Sequence, residues 1–236
     1  MQLIINGFLT DYQSRIFLQK TANESLAPVG RSVEPGILPT QTLARAFREE
    51  TGLIVMPIRL TGIYHSGRDG GRLTFCYRCT MRGGVLQVPE GYPPAGFFDF
   101  SPLPRGLSPG YRQQVDEALH HAGGSPSMKH EASDPGVWLG RLVKRAKPVT
   151  DSMAWNVAVQ LVDAVDSDAV EMTLVDQDAE PAVDAVAVKP GEAPWDTAAR
   201  LLDASRASRN KPLVRLVHVT FATERPAATF VFAPVS

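Results

Sequence analysis

The sequence has little cysteine, no long hydrophobic run and almost no net charge, and each shortage excludes a class of protein. Its 236 residues include two cysteines. Cys76 and Cys79 stand three positions apart in a strand-like run, so their side chains should point to opposite faces of a sheet. A disulfide between them is therefore not expected. A structural zinc site, which needs about four ligands, is not expected either.

The charge balance and the hydropathy pattern exclude two kinds of partner. The chain carries 24 basic and 25 acidic residues, a net charge of −1, so no global field attracts nucleic acid or an anionic membrane. No stretch approaches the roughly 18 to 20 apolar residues of a membrane span, and the N-terminal segment lacks the pattern of a signal peptide. We expect a cytoplasmic protein that binds any anion through a local site.

What the sequence does contain is enough apolar material for a core. Hydrophobic residues make up 44% of the chain, and the length allows one large domain or two small ones. A helix is predicted over 39–50, with Pro39 in its first turn, Leu43 and Phe47 on one face, and Gly52 as the residue that ends it.

Other elements follow from apolar runs and their boundaries. A second helix is predicted over 109–121, where Ser108 is placed to cap it and Pro109 suits its first position. Apolar, β-rich runs predict strands at 3–9, 15–18, 53–63 and 73–81.

The second half of the sequence repeats part of the first. With a shift of 155 positions, six of the eleven residues in 35–45 are identical, where ordinary composition predicts roughly one. The pairs are Pro35 and Pro190, Gly36 and Gly191, Pro39 and Pro194, Thr42 and Thr197, Ala44 and Ala199, and Arg45 and Arg200. This pattern predicts two copies of one α/β unit. The alternative is that helix starts rich in Pro and Gly resemble one another by chance.

The repeat and a Gly-Ser-Pro stretch together predict the domain boundaries. Residues 1–122 would form the first domain and 153–236 the second. Between them, 123–152 would form a linker with a possible amphipathic helix over 135–147.

One segment, 30–53, combines a glycine-containing loop with a helix that carries adjacent acids. It resembles the Nudix box, in which a glycine loop leads into a helix reading Arg-Glu-x-x-Glu-Glu-x-Gly. The matching residues are Gly30, Arg45, Glu49, Glu50, Gly52 and Leu53. The resemblance implies an α/β (α+β) sandwich with a mixed sheet, and the repeat extends this to tandem Nudix-like sandwiches. It also implies a Mg²⁺ or Mn²⁺ ion held by Glu49, Glu50 and the carbonyl of Gly30. Arg45 would then orient the acids for cleavage of a diphosphate linkage in a nucleotide-like substrate.

The box departs from the family pattern at three positions. Arg31 replaces the second glycine, Ile37 replaces a loop glutamate, and Ala46 replaces the first helix glutamate. The last change matters most, because the resemblance makes that glutamate a metal ligand or a base. Glu49 and Glu50 remain, about 100° apart around the helix. The alternative for Glu49 is an ion pair with Arg45 on a wet helix face.

Residues beyond the box extend the resemblance over 1–122. Glu90 lies near the place of a distal catalytic glutamate, but its spacing to Phe97 and Phe98 is off by about a residue, which favours an exposed loop acid. Tyr64, His65 and Arg68 follow a predicted core strand, where they could line a pocket.

The second copy keeps none of the helix acids. Ala204 and Ser205 stand where the shift places Glu49 and Glu50, and Glu192 is an isolated loop acid. This copy is predicted to be a scaffold, a built-in partner in place of the homodimer typical of the family.

Three hypotheses follow for the whole chain. The first is a Mg²⁺-dependent Nudix pyrophosphohydrolase weakened by its missing glutamates. The second is a catalytically inactive Nudix-fold protein that binds a nucleotide-like ligand or a protein partner. The third is a Nudix fold used for different, biosynthetic chemistry.

Overall fold

A computed structural model describes residues 1–21, 24–67, 71–131, 153–163, 169–176, 184–206 and 213–235. In chain order the elements are β1 (Gln2–Leu9), β2 (Arg15–Lys20), β3 (Leu26–Ala27), β4 (Val29–Ser32), α1 (Pro39–Thr51), β5 (Leu53–Ser66), β6 (Arg72–Gly84), β7 (Ala95–Asp99), α2 (Pro109–His120), β8 (Ser127–His130), β9 (Asn156–Leu161), β10 (Glu171–Val175), β11 (Val186–Ala187), α3 (Pro194–Arg206), β12 (Val214–Ala222) and β13 (Ala227–Pro234). The possible helix over 135–147 lies outside these ranges. No helix in the described part is long and apolar enough to cross a membrane.

The first half builds a five-stranded mixed sheet in the order β4-β1-β6-β5-β8. Strand β1 runs parallel to β6 and antiparallel to β4, while β5 runs antiparallel to β6 and parallel to β8. A smaller antiparallel sheet, β3-β2-β7, stands beside it. The prediction of mixed sheets is confirmed.

Successive side chains of a strand point to opposite faces of its sheet, and the two faces of the first sheet pack into two separate hydrophobic clusters. Ile5 of β1 packs in one hydrophobic cluster with Phe47 of α1, whereas Phe8 packs in another with Val115 of α2. The sheet therefore lies between α1 and α2. The two cysteines follow the same rule: Cys76 belongs to the α2 side and Cys79 to the α1 side, and both are free and buried.

Helix α1 has nearly the bounds that its sequence predicts. Gly52 ends it in the left-handed conformation, with φ 73°, and its N–H donates to the carbonyl of Arg48. Ser108 caps α2 as predicted, because its hydroxyl accepts from the backbone N–H of Tyr111 at 3.2 Å.

The second half builds a sheet with the same strand order and directions as the first, although its edge strand β10 precedes β12 in the chain whereas β8 follows β6. Its strand order is β11-β9-β13-β12-β10, and the parallel and antiparallel senses match those of β4-β1-β6-β5-β8 pair by pair. Helix α3 covers the residues of α1 shifted by 155, and β13 begins at the shifted start of β6. Two sheet-bearing halves of this kind fit tandem copies. One helix covers the second sheet among the residues that the structure describes.

The two sheets contact each other through aromatic side chains. The ring of Phe75 in β6 stacks on that of Phe230 in β13, with centroids 6.0 Å apart and planes at 13°. The shift of 155 relates Phe75 to Phe230, so the residues in contact occupy equivalent positions in the two halves. A contact between equivalent residues is the mark of a two-fold interface. Met1 and Trp155 join the halves at a second place through reciprocal backbone hydrogen bonds.

The region predicted as a linker contributes to the first sheet. Residues of β8 lie within 123–152, where no strand was predicted, and pair in parallel with β5. The domain boundaries stay predictions.

Candidate functional site

The segment that resembles the Nudix box brings its two helix acids together on an arginine. Arg31 projects from β4, and its guanidinium lies 2.6 Å from the carboxylate of Glu49 and 3.0 Å from that of Glu50. Both contacts are hydrogen bonds donated by the guanidinium. The residue in place of the second box glycine therefore satisfies both acids that the sequence predicts as metal ligands.

The two acids sit in different surroundings. Glu49 is 44% exposed at its side chain, and the hydrogen bond from Arg31 lowers its pKa. Glu50 is buried, and burial raises its pKa although Arg31 and Gln19 act in the opposite direction. Burial also acts against the charge of Arg31, but its hydrogen bonds to the two acids outweigh this effect and raise its pKa. The three side chains form one partly buried ionic cluster in which the guanidinium of Arg31 is the cation.

The donor set of this cluster does not suit a divalent metal ion. Magnesium binds oxygen ligands in an octahedron and needs carboxylates that are free to reach it. Here one guanidinium donates hydrogen bonds to both carboxylates, and no group of three acidic, histidine or cysteine side chains that could hold a metal occurs in the described part of the chain. The predicted Mg²⁺ or Mn²⁺ site at Glu49, Glu50 and Gly30 therefore does not fit the residues present.

Arg45, predicted to orient the acids, instead joins the loop to the helix. Its guanidinium lies 2.7 Å from Glu34 in the loop and 4.0 Å from Glu49. In the second half, Arg200 at the shifted position pairs with the loop acid Glu192 at 3.1 Å. Because Ala204 and Ser205 stand at the shifted positions of Glu49 and Glu50, this recurring contact of an arginine with a loop acid supports a structural role for the arginine. Its part in orienting the acids stays a prediction. The predicted ion pair of Glu49 with Arg45 is present, but Arg31 is the closer partner.

Gly30 is needed for close packing of β4 on β1. A Cβ atom at this position would lie 2.2 Å from the side-chain oxygen of Asn6 and 2.9 Å from the carbonyl oxygen of Ile5. The amide of Asn6 donates in turn to Gln114 of α2 at 3.1 Å. A structural reason therefore accounts for this glycine without a metal.

Ala46 stands where the family pattern has its first helix glutamate. Its side chain is fully buried, in the same hydrophobic cluster as Leu43 and Phe47. The alanine is part of the core, so the position has no room for a solvated carboxylate.

Replacing Ala46 with glutamate should therefore destabilise the protein. We expect Ala46→Glu to lower the free energy of unfolding by about 3 kcal/mol, since it buries a charge without a dedicated partner. Urea denaturation followed by circular dichroism measures the change. Ala44→Glu, at a partly exposed position of the same helix, is the matched control and should cost under about 1 kcal/mol. Equal stability of Ala46→Glu and the wild type would contradict the burial of this site.

A groove of about 480 Å³ lies where the start of α1 and strands β5 and β6 face the second half. Its apolar lining comes from both halves and includes Leu60, Tyr77, Val170 and Met172. Arg59 adds a positive charge, and no ion pair of Arg59 occurs among the described residues. The volume is in the range of small-molecule sites.

The remaining candidate residues lie apart from the box. Tyr64 is buried against α2 and donates to Glu117 at 2.5 Å, and His65 is buried near the second half. Glu90 is exposed in a turn before β7. Arg68 lies outside the described residues. In the sequence, Arg31 stands out only as the replacement of the second box glycine. A basic residue in a segment that precedes two adjacent helix acids is a signal for an ion pair with them.

Comparison with solved structures finds similarity to Nudix hydrolases. An ADP-ribose pyrophosphatase from Streptococcus suis 89-1591 has a TM-score of 0.46 and 18% identity, over 55% of this chain and 98% of that chain. A UDP-X diphosphatase has a TM-score of 0.46 and 18% identity, over 54% and 66% of the two chains. A Nudix hydrolase from Nitrosomonas europaea has a TM-score of 0.43 and 20% identity, over 51% and 89%. No family model and no curated protein matches the sequence.

Proposed function

We propose that this chain is a Nudix-fold protein that binds a nucleotide-like ligand without hydrolysing it. The observation that carries the proposal is the pair of hydrogen bonds from Arg31 to Glu49 and Glu50. A diphosphate hydrolase of the metal-dependent kind needs a cation that can hold the substrate phosphates and activate a water. Arg31 supplies positive charge to the acids but cannot lower the pKa of a bound water as a metal does.

The groove between the halves is the binding site in this proposal. Arg59 attracts a phosphate, while exposed Ile58 and the partly buried side chains of Val170 and Met172 offer an apolar surface for a base or another flat group. An arginine suits this task because its planar fork of N–H groups matches phosphate oxygens. Because both halves line the groove, the second half has a role in binding although it has no counterparts of Glu49 and Glu50.

A weak hydrolase is the second candidate, and one observation favours it. The side chain of Glu49 is 44% exposed, and ion pairs between exposed groups contribute little free energy. A metal ion carried in by a diphosphate could therefore compete with Arg31 for this carboxylate.

Binding and turnover measured on the same samples test the proposal. Purified protein is incubated with ADP-ribose, UDP-glucose or diadenosine tetraphosphate, with Mg²⁺ or Mn²⁺ or with a chelator. We expect at least one ligand to raise the melting temperature without a chelator-sensitive product. Arg59→Glu should abolish the shift, whereas Arg105→Glu, at an exposed loop position, should leave it unchanged.

Two outcomes would contradict the proposal. Metal-dependent products that disappear in Glu50→Gln would establish the hydrolase instead. A ligand shift that survives in Arg59→Glu would show that the groove is not where the ligand binds.

A further inference from the structure

Two histidines and an aspartate meet where the end of β5 faces the start of α3. The Nδ1 atoms of His65 and His130 are 3.4 Å apart, and Nε2 of His130 lies 3.0 Å from the carboxylate of Asp196. The indole of Trp195 stands edge-on to both imidazoles, with ring centroids 6.2 and 5.5 Å away. The cluster is separate from the box and from the groove, and the proposed function does not use it.

The hydrogen-bond partners determine where the protons are. A carboxylate oxygen only accepts, so the contact with Asp196 favours the tautomer of His130 with the proton on Nε2 and a lone pair on Nδ1. The proton shared by the two rings then belongs to Nδ1 of His65. This leaves Nε2 of His65 buried without a hydrogen-bond partner. His65 is 1% exposed, so this ring nitrogen is out of contact with solvent whichever tautomer the ring adopts.

The spacing of the two Nδ1 atoms is that of two ligands on one metal ion. Two nitrogens at about 2.05 Å from a tetrahedral zinc ion are about 3.3 Å apart. The observed separation is 3.4 Å, with the imidazole planes at 78°. We propose that His65 and His130 bind a transition-metal ion such as Zn²⁺ through their Nδ1 atoms, with water completing the coordination.

The surroundings of the pair support this assignment. The carboxylate of Asp196 lies 3.0 Å from the outer nitrogen of His130, and a carboxylate at this place orients metal-binding histidines and increases their basicity. His130 is 56% exposed at its side chain, which gives an ion a path from solvent. For an ion to bind at Nδ1 of His65, the proton on that atom must leave it, and Nε2 is the other ring nitrogen that can carry it.

The chemistry of the donors determines which ions fit. Imidazole nitrogen suits Zn²⁺, Ni²⁺ and Cu²⁺, whereas Mg²⁺ prefers oxygen. The site joins the halves, because the histidines come from the first half and Asp196 from the second. A bound ion should therefore stabilise the contact between them.

Titration of the untagged full chain with Zn²⁺ alone, by calorimetry and by competition with a chromophoric chelator, tests the site. We expect one Zn²⁺ per chain, a higher melting temperature with Zn²⁺, and neither effect with Mg²⁺. His130→Gln should weaken binding at least tenfold. Asp196→Asn should weaken it by about 10- to 100-fold, as loss of a supporting carboxylate does.

A matched control lies on α2. His120 also pairs with an aspartate, Asp116 at 3.0 Å, but none of the described residues gives it a second imidazole as a hydrogen-bond partner. The double variant His120→Gln/His121→Gln should therefore bind Zn²⁺ as the wild type does. Failure to bind one Zn²⁺ per chain, or binding that His130→Gln leaves unchanged, would overturn the proposal. Neither result depends on whether the groove binds a nucleotide.

Discussion

Replacing Arg31 with glycine should give the chain a Mn²⁺-binding site that the wild type lacks. The variant removes the guanidinium that holds Glu49 and Glu50 and leaves two adjacent carboxylates beside the glycine that the family pattern has at this position. Repulsion between the acids then favours a divalent cation. We expect Mn²⁺ affinity to rise at least tenfold, measured by calorimetry or by the loss of free Mn²⁺ signal in electron paramagnetic resonance.

The same variant should be less stable when no metal is present. Breaking a buried ion pair costs about 3 to 5 kcal/mol and an exposed pair about 0 to 1 kcal/mol. Because this cluster is only partly buried, we expect Arg31→Gly to lower the free energy of unfolding by about 1 to 3 kcal/mol in chelator. Saturating Mn²⁺ should restore part of that loss.

Two controls separate the arginine from its neighbours. Arg45→Ala removes a nearby guanidinium that pairs with Glu34 but leaves Arg31 in place, so it should gain no Mn²⁺ binding. Arg31→Lys keeps a charge without the forked geometry and should bind Mn²⁺ no better than the wild type. If Arg31→Gly gains no affinity, the missing acids at Ile37 and Ala46, rather than the internal cation, are what prevent metal binding.

The elements that the sequence predicts well are those whose pattern is long and local. The helix of Pro39, Leu43 and Phe47 needs only its own residues, and the structure gives it nearly the predicted bounds. Strands β4, β7 and β8 were not predicted, because they are short and their place depends on partners far along the chain. For β8, a stretch rich in Gly, Ser and Pro just before it favoured a linker.

The site shows the same limit more sharply. The positions of Glu49 and Glu50 follow from the helix, but the approach of Arg31 depends on a strand 18 residues earlier. The contact of His65 with His130 joins residues 65 positions apart. Neither pair has a spacing that a helix or strand would repeat, so periodicity carries no signal for them. The internal repeat, by contrast, consists of identical residues 155 positions apart, so it is visible in the sequence without any knowledge of contacts.

The contact between Phe75 and Phe230 should couple the stability of the two halves. Both rings are buried in one hydrophobic cluster that also contains residues of each half, including Ile5 and Val159. We expect Phe75→Ala and Phe230→Ala each to lower the free energy of unfolding by about 3 to 5 kcal/mol. Because the cluster is continuous, each variant should shift a single unfolding transition and not that of one half.

A double-mutant cycle measures the coupling itself. The milder variants Phe75→Leu and Phe230→Leu keep the protein folded, and their combined effect should be smaller than the sum by about 0.5 to 1.5 kcal/mol, the amount typical of an aromatic pair. Phe8 lies in the other hydrophobic cluster, so Phe8→Leu with Phe230→Leu should be additive within about 0.5 kcal/mol. Additive effects for Phe75 and Phe230, or two separate unfolding transitions, would mean that the halves do not form one cooperative core. In that case the second half would fold and unfold independently of the first.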